Sequence, residues 1–254
     1  MKKSHAILCI LSTAALVGLA AGASHAQLLQ VDFGTQDVSA MNTGNSPNRV
    51  AAGYQDFSYG PEMDFGGGTD AAIKLPPSTL SQTYGAIGVT VFDPHPASNG
   101  LYFGDEGTVN SGALSEVADD YVNPSGPELH LTLSGLAAGL YGMTTVHHRP
   151  LGASVNSING IAVDTGSGPQ SVASNVPISF GLTPPSISKV SFQFTADGTN
   201  DVEVAFQGGM FPAPLNGFIL IPIPEPASAA LLAVGGGLIA AACLRRKLRS
   251  RRGH

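Results

Sequence analysis

Apolar residues recur at every second position over several short stretches of the chain. In Glu128-Leu129-His130-Leu131-Thr132-Leu133-Ser134, leucines alternate with polar residues, the period of a strand with one buried face. The chain then turns through Gly135-Leu136-Ala137-Ala138-Gly139 and runs on from Leu140 to His148, which predicts a hairpin with Ser134 opposite Leu140. A second predicted hairpin has Val190, Phe192 and Phe194 on one arm and Val202, Val204 and Phe206 on the other, with Ala196-Asp197-Gly198-Thr199-Asn200 as its turn. Strands are also predicted over 28–33, 87–92, 153–158, 161–163 and 215–221, with Asn159-Gly160 as a hairpin turn between two of them. Residues 35–68 are rich in Gly, Asn, Ser and Asp and read as long loops. No helical stripe stands out except in one apolar segment at each terminus. The pattern predicts an all-β fold: a single jelly-roll-like β-sandwich over residues 27–223.

The two ends read differently. Lys2 and Lys3 precede an apolar run over 6–21, and Ser24 and Ala26 stand at −3 and −1 of a cut before Gln27. Residues 1–26 are therefore expected to be a signal peptide. Residues 227–244 carry no charge and are rich in Ala, Leu and Gly, and Arg245, Arg246, Lys247, Arg249, Arg251 and Arg252 follow. Eighteen residues of helix cover about 27 Å, just enough for a hydrocarbon core of about 30 Å. This predicts a C-terminal transmembrane helix with its basic end cytoplasmic and everything before it outside. Gly235-Gly236-Gly237-Leu238-Ile239-Ala240 fits a dinucleotide-binding pattern, but it lies inside this span with no strand before it, so that reading is discarded.

Directly before the apolar run stand Pro224, Glu225 and Pro226. The order of Pro-Glu-Pro tripeptide, apolar helix and Arg-rich end resembles the PEP-CTERM sorting signal of Gram-negative bacteria, here over 224–254. The resemblance implies recognition of Pro224, Glu225 and Pro226 by an exosortase, a membrane cysteine protease or transpeptidase. It also implies association with exopolysaccharide-producing bacteria. The chain would be anchored in the inner membrane and would reach the cell surface or extracellular matrix after processing.

Charge narrows the partners of the core. Residues 27–223 hold four basic residues (Arg49, Lys74, Arg149 and Lys189) against 17 acidic ones, a net −13 that the whole-chain value of −6 hides. This argues against nucleic acid, whose binders need a basic footprint, and against adsorption to anionic lipid. Both cysteines, Cys9 and Cys243, lie in the terminal segments, so the core has no disulfide. At 197 residues it can bury enough surface without one.

A second resemblance rests on element order. An opening Leu29-Gln30-Val31-Asp32-Phe33-Gly34 strand is followed by Leu131 to Tyr141, by Phe192 to Gly198, and by a terminal Leu215-Asn216-Gly217-Phe218. The order is similar to that of malectin-like and galactose-binding-like jelly rolls that serve as carbohydrate-binding modules, and it implies a glycan ligand. Such modules commonly stack sugars on Trp, which this chain lacks.

Candidate site residues follow from chemistry. Tyr102 and Tyr121 near the acidic loops, and Tyr54 and Tyr59 in the long loop region, are the rings proposed to stack a glycan. Asp105, Glu106, Asp119 and Asp120 supply the hard oxygen atoms that a structural Ca²⁺ takes. His130 and His148 would share a face across the first predicted hairpin. The pair His147-His148 cannot chelate one ion in a regular strand, because neighbouring side chains point to opposite faces. No G-x-S-x-G, H-E-x-x-H, C-x-x-C or P-loop lysine motif is present, so no catalytic residue is assigned. The expected function is that of an exported, surface-anchored, non-enzymatic protein that binds or organises extracellular polysaccharide. The alternatives are a secreted glycan-active enzyme on a jelly-roll fold and a purely structural matrix or adhesion protein.

Overall fold

The computed structural model describes residues 29–35, 50–59, 71–75, 78–95, 100–105, 109–110, 112–149, 157–209 and 212–224. Both predicted terminal helices lie outside them. Among the described residues no helix is long and apolar enough to cross a membrane.

Fifteen strands are described. They begin with β1 (Leu29–Thr35), β2 (Gln55–Tyr59), β3 (Ala71–Leu75), β4 (Thr79–Tyr84) and β5 (Ile87–Phe92). Next come β6 (Leu101–Asp105), β7 (Asp120–Pro124), β8 (Glu128–Ser134), β9 (Gly139–Arg149) and β10 (Ser157–Asp164). The last are β11 (Gln170–Pro177), β12 (Ser179–Phe180), β13 (Ser188–Ala196), β14 (Val202–Gln207) and β15 (Gly217–Ile223). One short helix, α1 (Ser115–Asp119), precedes β7.

The first sheet runs β12-β9-β15-β1-β2, with β13 also paired to β9. The second runs β11-β10-β14-β8-β5-β4, and a small third sheet runs β3-β6-β7. The first two sheets face each other across one core. Leu29, Val31, Phe33, Met143, Phe218 and Leu220 come from one side, and Val89, Val91, Leu129, Leu131, Leu133, Val204 and Phe206 from the other. These inward positions alternate with half-buried or exposed ones along β5, β8 and β14, as the leucine spacing requires. The first strand, β1, pairs antiparallel with the last, β15, and from β8 onward the chain passes repeatedly between the sheets. The sandwich is thus wound as a jelly roll.

Neither long predicted hairpin forms. β8 pairs with β5 and β14, whereas β9 pairs with β13 and β15, so Gly135–Gly139 is an arch between sheets. The turn after β13 is a second arch, because β13 pairs with β9 and β14 with β8 and β10. A strand pattern states which face is buried, not which neighbour occupies the edge. The arches pack on one another. Gly135 has φ +72°, and a Cβ there would meet the Ala86 carbonyl oxygen. Gly198 has φ +81°, and a Cβ there would lie 2.8 Å from the Ala138 nitrogen. Asp197 closes the second arch by accepting hydrogen bonds from the Thr199 and Asn200 backbone N–H groups, which hold its carboxyl below the usual range.

Asn159-Gly160 is not a turn either: both residues lie within β10. A type I′ turn needs positive φ at both residues, and neither has it. Ile158 and Ile161, three apart, are both fully buried, and the register with β11 shifts just beyond them at Ile161/Ala162, where Val172 is the extra residue of β11. The region read as loops contains β2, which lies parallel to β1 with Phe57 opposite Phe33.

Candidate functional site

Four strands place a band of side chains on the outward face of the second sheet. Cross-strand partners share a face, so Phe92 of β5, His130 of β8 and Ala205 of β14 form one row. Thr90, Thr132, Glu203 and Asp164 form the next. The Phe92 and His130 rings are 5.0 Å apart at 49°. His130 Nδ1 lies 2.6 Å from Glu203 Oε1, and Nε2 lies 3.4 Å from Glu128 Oε2. The ring side chain keeps 15% of its surface exposed, between carboxylates that are 35% and 41% exposed. Small residues, Ala205 and Ala162, continue the row towards the edge. The arrangement offers two adjacent rings ringed by carboxylate and hydroxyl groups. No local sequence pattern marks it, because Phe92 and His130 meet only through the register of β5 with β8.

His130 and His148 do not meet, since β8 and β9 belong to different sheets. His147 is fully buried in the core. Its Nδ1 lies 2.8 Å from the Pro214 carbonyl oxygen, its Nε2 is 2.8 Å from Thr145 Oγ1, and its ring is 5.6 Å from Phe206. His148 points the other way, with Nδ1 2.8 Å from Ser179 Oγ. Burial pushes both imidazoles down to about 4. Both are structural and neutral.

The predicted tyrosines are not gathered into one surface. Tyr121 of β7 is only 5% exposed, and its ring lies where a Cβ on Gly104 would stand, so it offers no face to a sugar. Tyr54 is half-buried against a small second core formed by Ala51, Val109, Val117, Ala118, Val146 and Ile187. Tyr59 ends β2 and Tyr102 lies in β6 opposite Asn123, and the side chains of both fall outside what is described.

The predicted acids come closer together. Asp105 and Asp120 are antiparallel register partners at the ends of β6 and β7, and Asp119 ends α1 just before them. Asp119 and Asp120 are buried, and Asp119 Oδ1 accepts the Val109 N–H. Glu106 lies outside the described residues, as does the side chain of Asp105. Among the described residues no three His, Cys, Asp or Glu side chains converge as metal ligands. Asp32 and Asp93, both 3% exposed, are buried acids that were not foreseen; Asp32 of β1 lies on the outward face of the first sheet. Its Oδ2 accepts the Ala51 N–H at 2.9 Å, while Oδ1 has no hydrogen-bond partner among the described residues. Burial pushes its carboxyl up to about 8, and the charges of Asp56, Asp119 and Glu116 add to that.

The third predicted element begins inside the fold. Pro222 and Ile223, the last residues of β15, pair with Tyr141 and Leu140 of β9, and Pro224 follows at the surface. Glu225 and Pro226 lie outside the described residues. Residues 222–247 match the PEP-CTERM protein-sorting motif. The match implies an exported chain anchored at the membrane for sorting, and Pro224, the first residue of the tripeptide, directly follows the central strand β15.

Among curated proteins none matches the chain in sequence. Similar solved structures include a family 35 carbohydrate-binding module from Clostridium thermocellum. It is 11% identical, with 61% of this chain and 92% of the module covered and a TM-score of 0.31. A xylan-binding domain from Paenibacillus barcinonensis is 12% identical, with 59% and 88% covered and a TM-score of 0.31. An exo-β-1,3-galactanase from Phanerochaete chrysosporium is 18% identical over 44% of this chain, which spans 25% of that enzyme, with a TM-score of 0.30. Likeness at this level carries no argument about what the PEP-CTERM chain binds.

Proposed function

We propose that the protein is an exported, sorted, non-enzymatic binder of extracellular polysaccharide, and that the polymer lies on the outward face of the second sheet. The observation that carries this reading is the Phe92–His130 ring pair, partly exposed between Glu128 and Glu203. The C–H face of a pyranose gains from contact with such rings, and carboxylate and hydroxyl groups around them accept and donate hydrogen bonds to sugar hydroxyls. Glu128, Glu203 and Asp164 on one face, together with the net −13 of residues 27–223, favour an uncharged polymer over an acidic one. Exosortase, as the enzyme that would read Pro224, Glu225 and Pro226, is the proposed processing partner.

The test is a titration of the full chain in detergent or nanodiscs against the host's neutral exopolysaccharide. Saturable binding is expected, with no new reducing ends. Phe92→Ala and His130→Ala should each weaken it about tenfold, a loss of about 1.4 kcal/mol. No binding, or binding indifferent to both changes, removes this face as the site. Release of oligosaccharides favours the enzyme. Binding that disappears on chelation of Ca²⁺ while tolerating both changes moves the function to the end that holds Asp105, Asp119 and Asp120.

A further inference from the structure

The outward face of the first sheet has two unlike halves. Near the ends of β1 and β9 that hold Asp32 and His148 it is covered by α1 and the small second core. At the other end, where β15 finishes, lie Leu140, Ile219, Ile221 and Ile223, with Ile219, Ile221 and Ile223 opposite Thr144, Gly142 and Leu140. Ile221 is 48% exposed, one of only two large apolar side chains so exposed among the described residues. Gly142 leaves the middle of this patch flat, and Ile223 lies over it: a Cβ there would be 3.4 Å from Ile223 Cδ1. Thr144, Ser191, Gln193 and Gln30 border the patch, since they share its face in register. An apolar patch with a polar rim is a docking surface by its chemistry.

The chain itself says what lies next to it. Only Pro224, Glu225 and Pro226 separate Ile223 from the uncharged run that starts at Ala227. Four Cα steps reach at most about 14 Å. The run of 18 residues covers about 27 Å against a hydrocarbon core of about 30 Å, so Ala227 cannot be spared from the hydrocarbon boundary. Ile223 is therefore held at the lipid headgroups whenever the anchor is inserted. A tether this short gives a high effective concentration, so a small apolar patch suffices for contact.

We propose that the sandwich rests on the bilayer that holds its own anchor, with Leu140, Ile221 and Ile223 seated in the lipid interface. The contact is apolar, because the acidic core has no basic patch for anionic headgroups. It also fixes orientation. The arches at Gly135–Gly139 and Ala196–Asn200 lie at the membrane end, while β1, β2, β9 and β14 finish at the opposite end, facing outward. The proposal rests on the anchor reading, and the experiment separates the two.

The sequence contains no tryptophan, so Ile221→Trp gives a single-tryptophan reporter. The full chain carrying Cys9→Ser is reconstituted in neutral phosphatidylcholine nanodiscs, with and without brominated acyl chains, and a fluorophore on Cys243 reports anchor insertion. The expected result is that Ile221→Trp loses most of its emission in brominated lipid, as does the Cys243 label. Ser174→Trp, on the far edge strand of the other sheet, should be unaffected. Quenching at Cys243 but not at Ile221→Trp overturns the docking and leaves the anchor standing. Equal quenching at Ile221→Trp and Ser174→Trp also overturns it, as general adsorption. An unquenched Cys243 overturns the anchor and the docking with it.

Discussion

Asn216 accepts the backbone N–H of His148 at 2.6 Å, and its amide nitrogen also donates to the carbonyl groups of Ala118 and Asp120. One fully buried side chain thereby ties β9 to the end of α1 and the start of β7, on the residue that leads into β15. Asn216→Ala leaves three buried backbone groups without their partner, each costing about 1–3 kcal/mol. A loss of about 3–5 kcal/mol in urea unfolding is expected. A loss below about 1 kcal/mol would mean that water takes over the bonds.

Stability should peak near pH 6.5. The Asp32 carboxyl, at about 8 folded against 3.8 for a free carboxyl, binds its proton more tightly in the native state. Its contribution is fully present below pH 3.8 and is lost as pH rises towards 8, at about 1.4 kcal/mol per unit. His147 and His148, at about 4 against 6.5, act in the other sense: the unfolded chain takes up protons first as pH falls below 6.5. Two imidazoles outweigh one carboxyl between pH 4 and 6.5, and of these three groups only the carboxyl acts between 6.5 and 8. Asp32→Asn keeps an oxygen for the Ala51 N–H and should flatten the alkaline side of the denaturation profile. A wild-type profile that still rises from pH 7 to 8 would sink this account.

The faces of β5, β8 and β14 were legible because each has one wholly apolar side, Ile87-Val89-Val91, Leu129-Leu131-Leu133 and Val202-Val204-Phe206. Two of the strands that escaped notice have no such side. β4 reads Thr-Leu-Ser-Gln-Thr-Tyr and alternates only between exposed and half-buried, and β11 is mostly polar, because both lie at the edges of the second sheet. Partner choice was illegible for a different reason. Gly135 and Gly198 signal a change of direction, and the same glycines serve a hairpin or an arch. The ring pair on the second sheet depends on the β5–β8 register, which joins Phe92 to His130 across 38 positions of sequence that no local pattern links.

The arch glycines make a graded test. At Gly135 an added Cβ meets the Ala86 carbonyl oxygen and also needs φ +72°, whereas at Gly168, with φ +100°, nothing lies within 4 Å. Gly168→Ala should cost about 1 kcal/mol from backbone strain alone. Gly135→Ala should cost at least about 2 kcal/mol more, because the β8–β9 arch and the β4–β5 turn must separate. Equal thermal shifts for the two variants would show that the arch yields without penalty.

The position of β15 limits where the chain can be cut. β15 is a central strand: Leu29, Gln30, Val31 and Asp32 pair along one edge, and β9 pairs along the whole of the other. Its Phe218 and Leu220 are fully buried in the shared core. A chain ending at Pro224 keeps every one of these pairings, and its melting temperature should lie within a few degrees of the full-length protein. A chain ending at Asn216 loses both side chains and uncovers the facing edges of β1 and β9, which invites edge-to-edge association. It should be insoluble or unfolded by circular dichroism. The same geometry constrains natural processing: the C-terminal residue of mature protein, read by mass spectrometry, is expected at Pro224 or beyond. A mature form that ends before Gly217 and stays folded would overturn the assignment of β15 as a required strand.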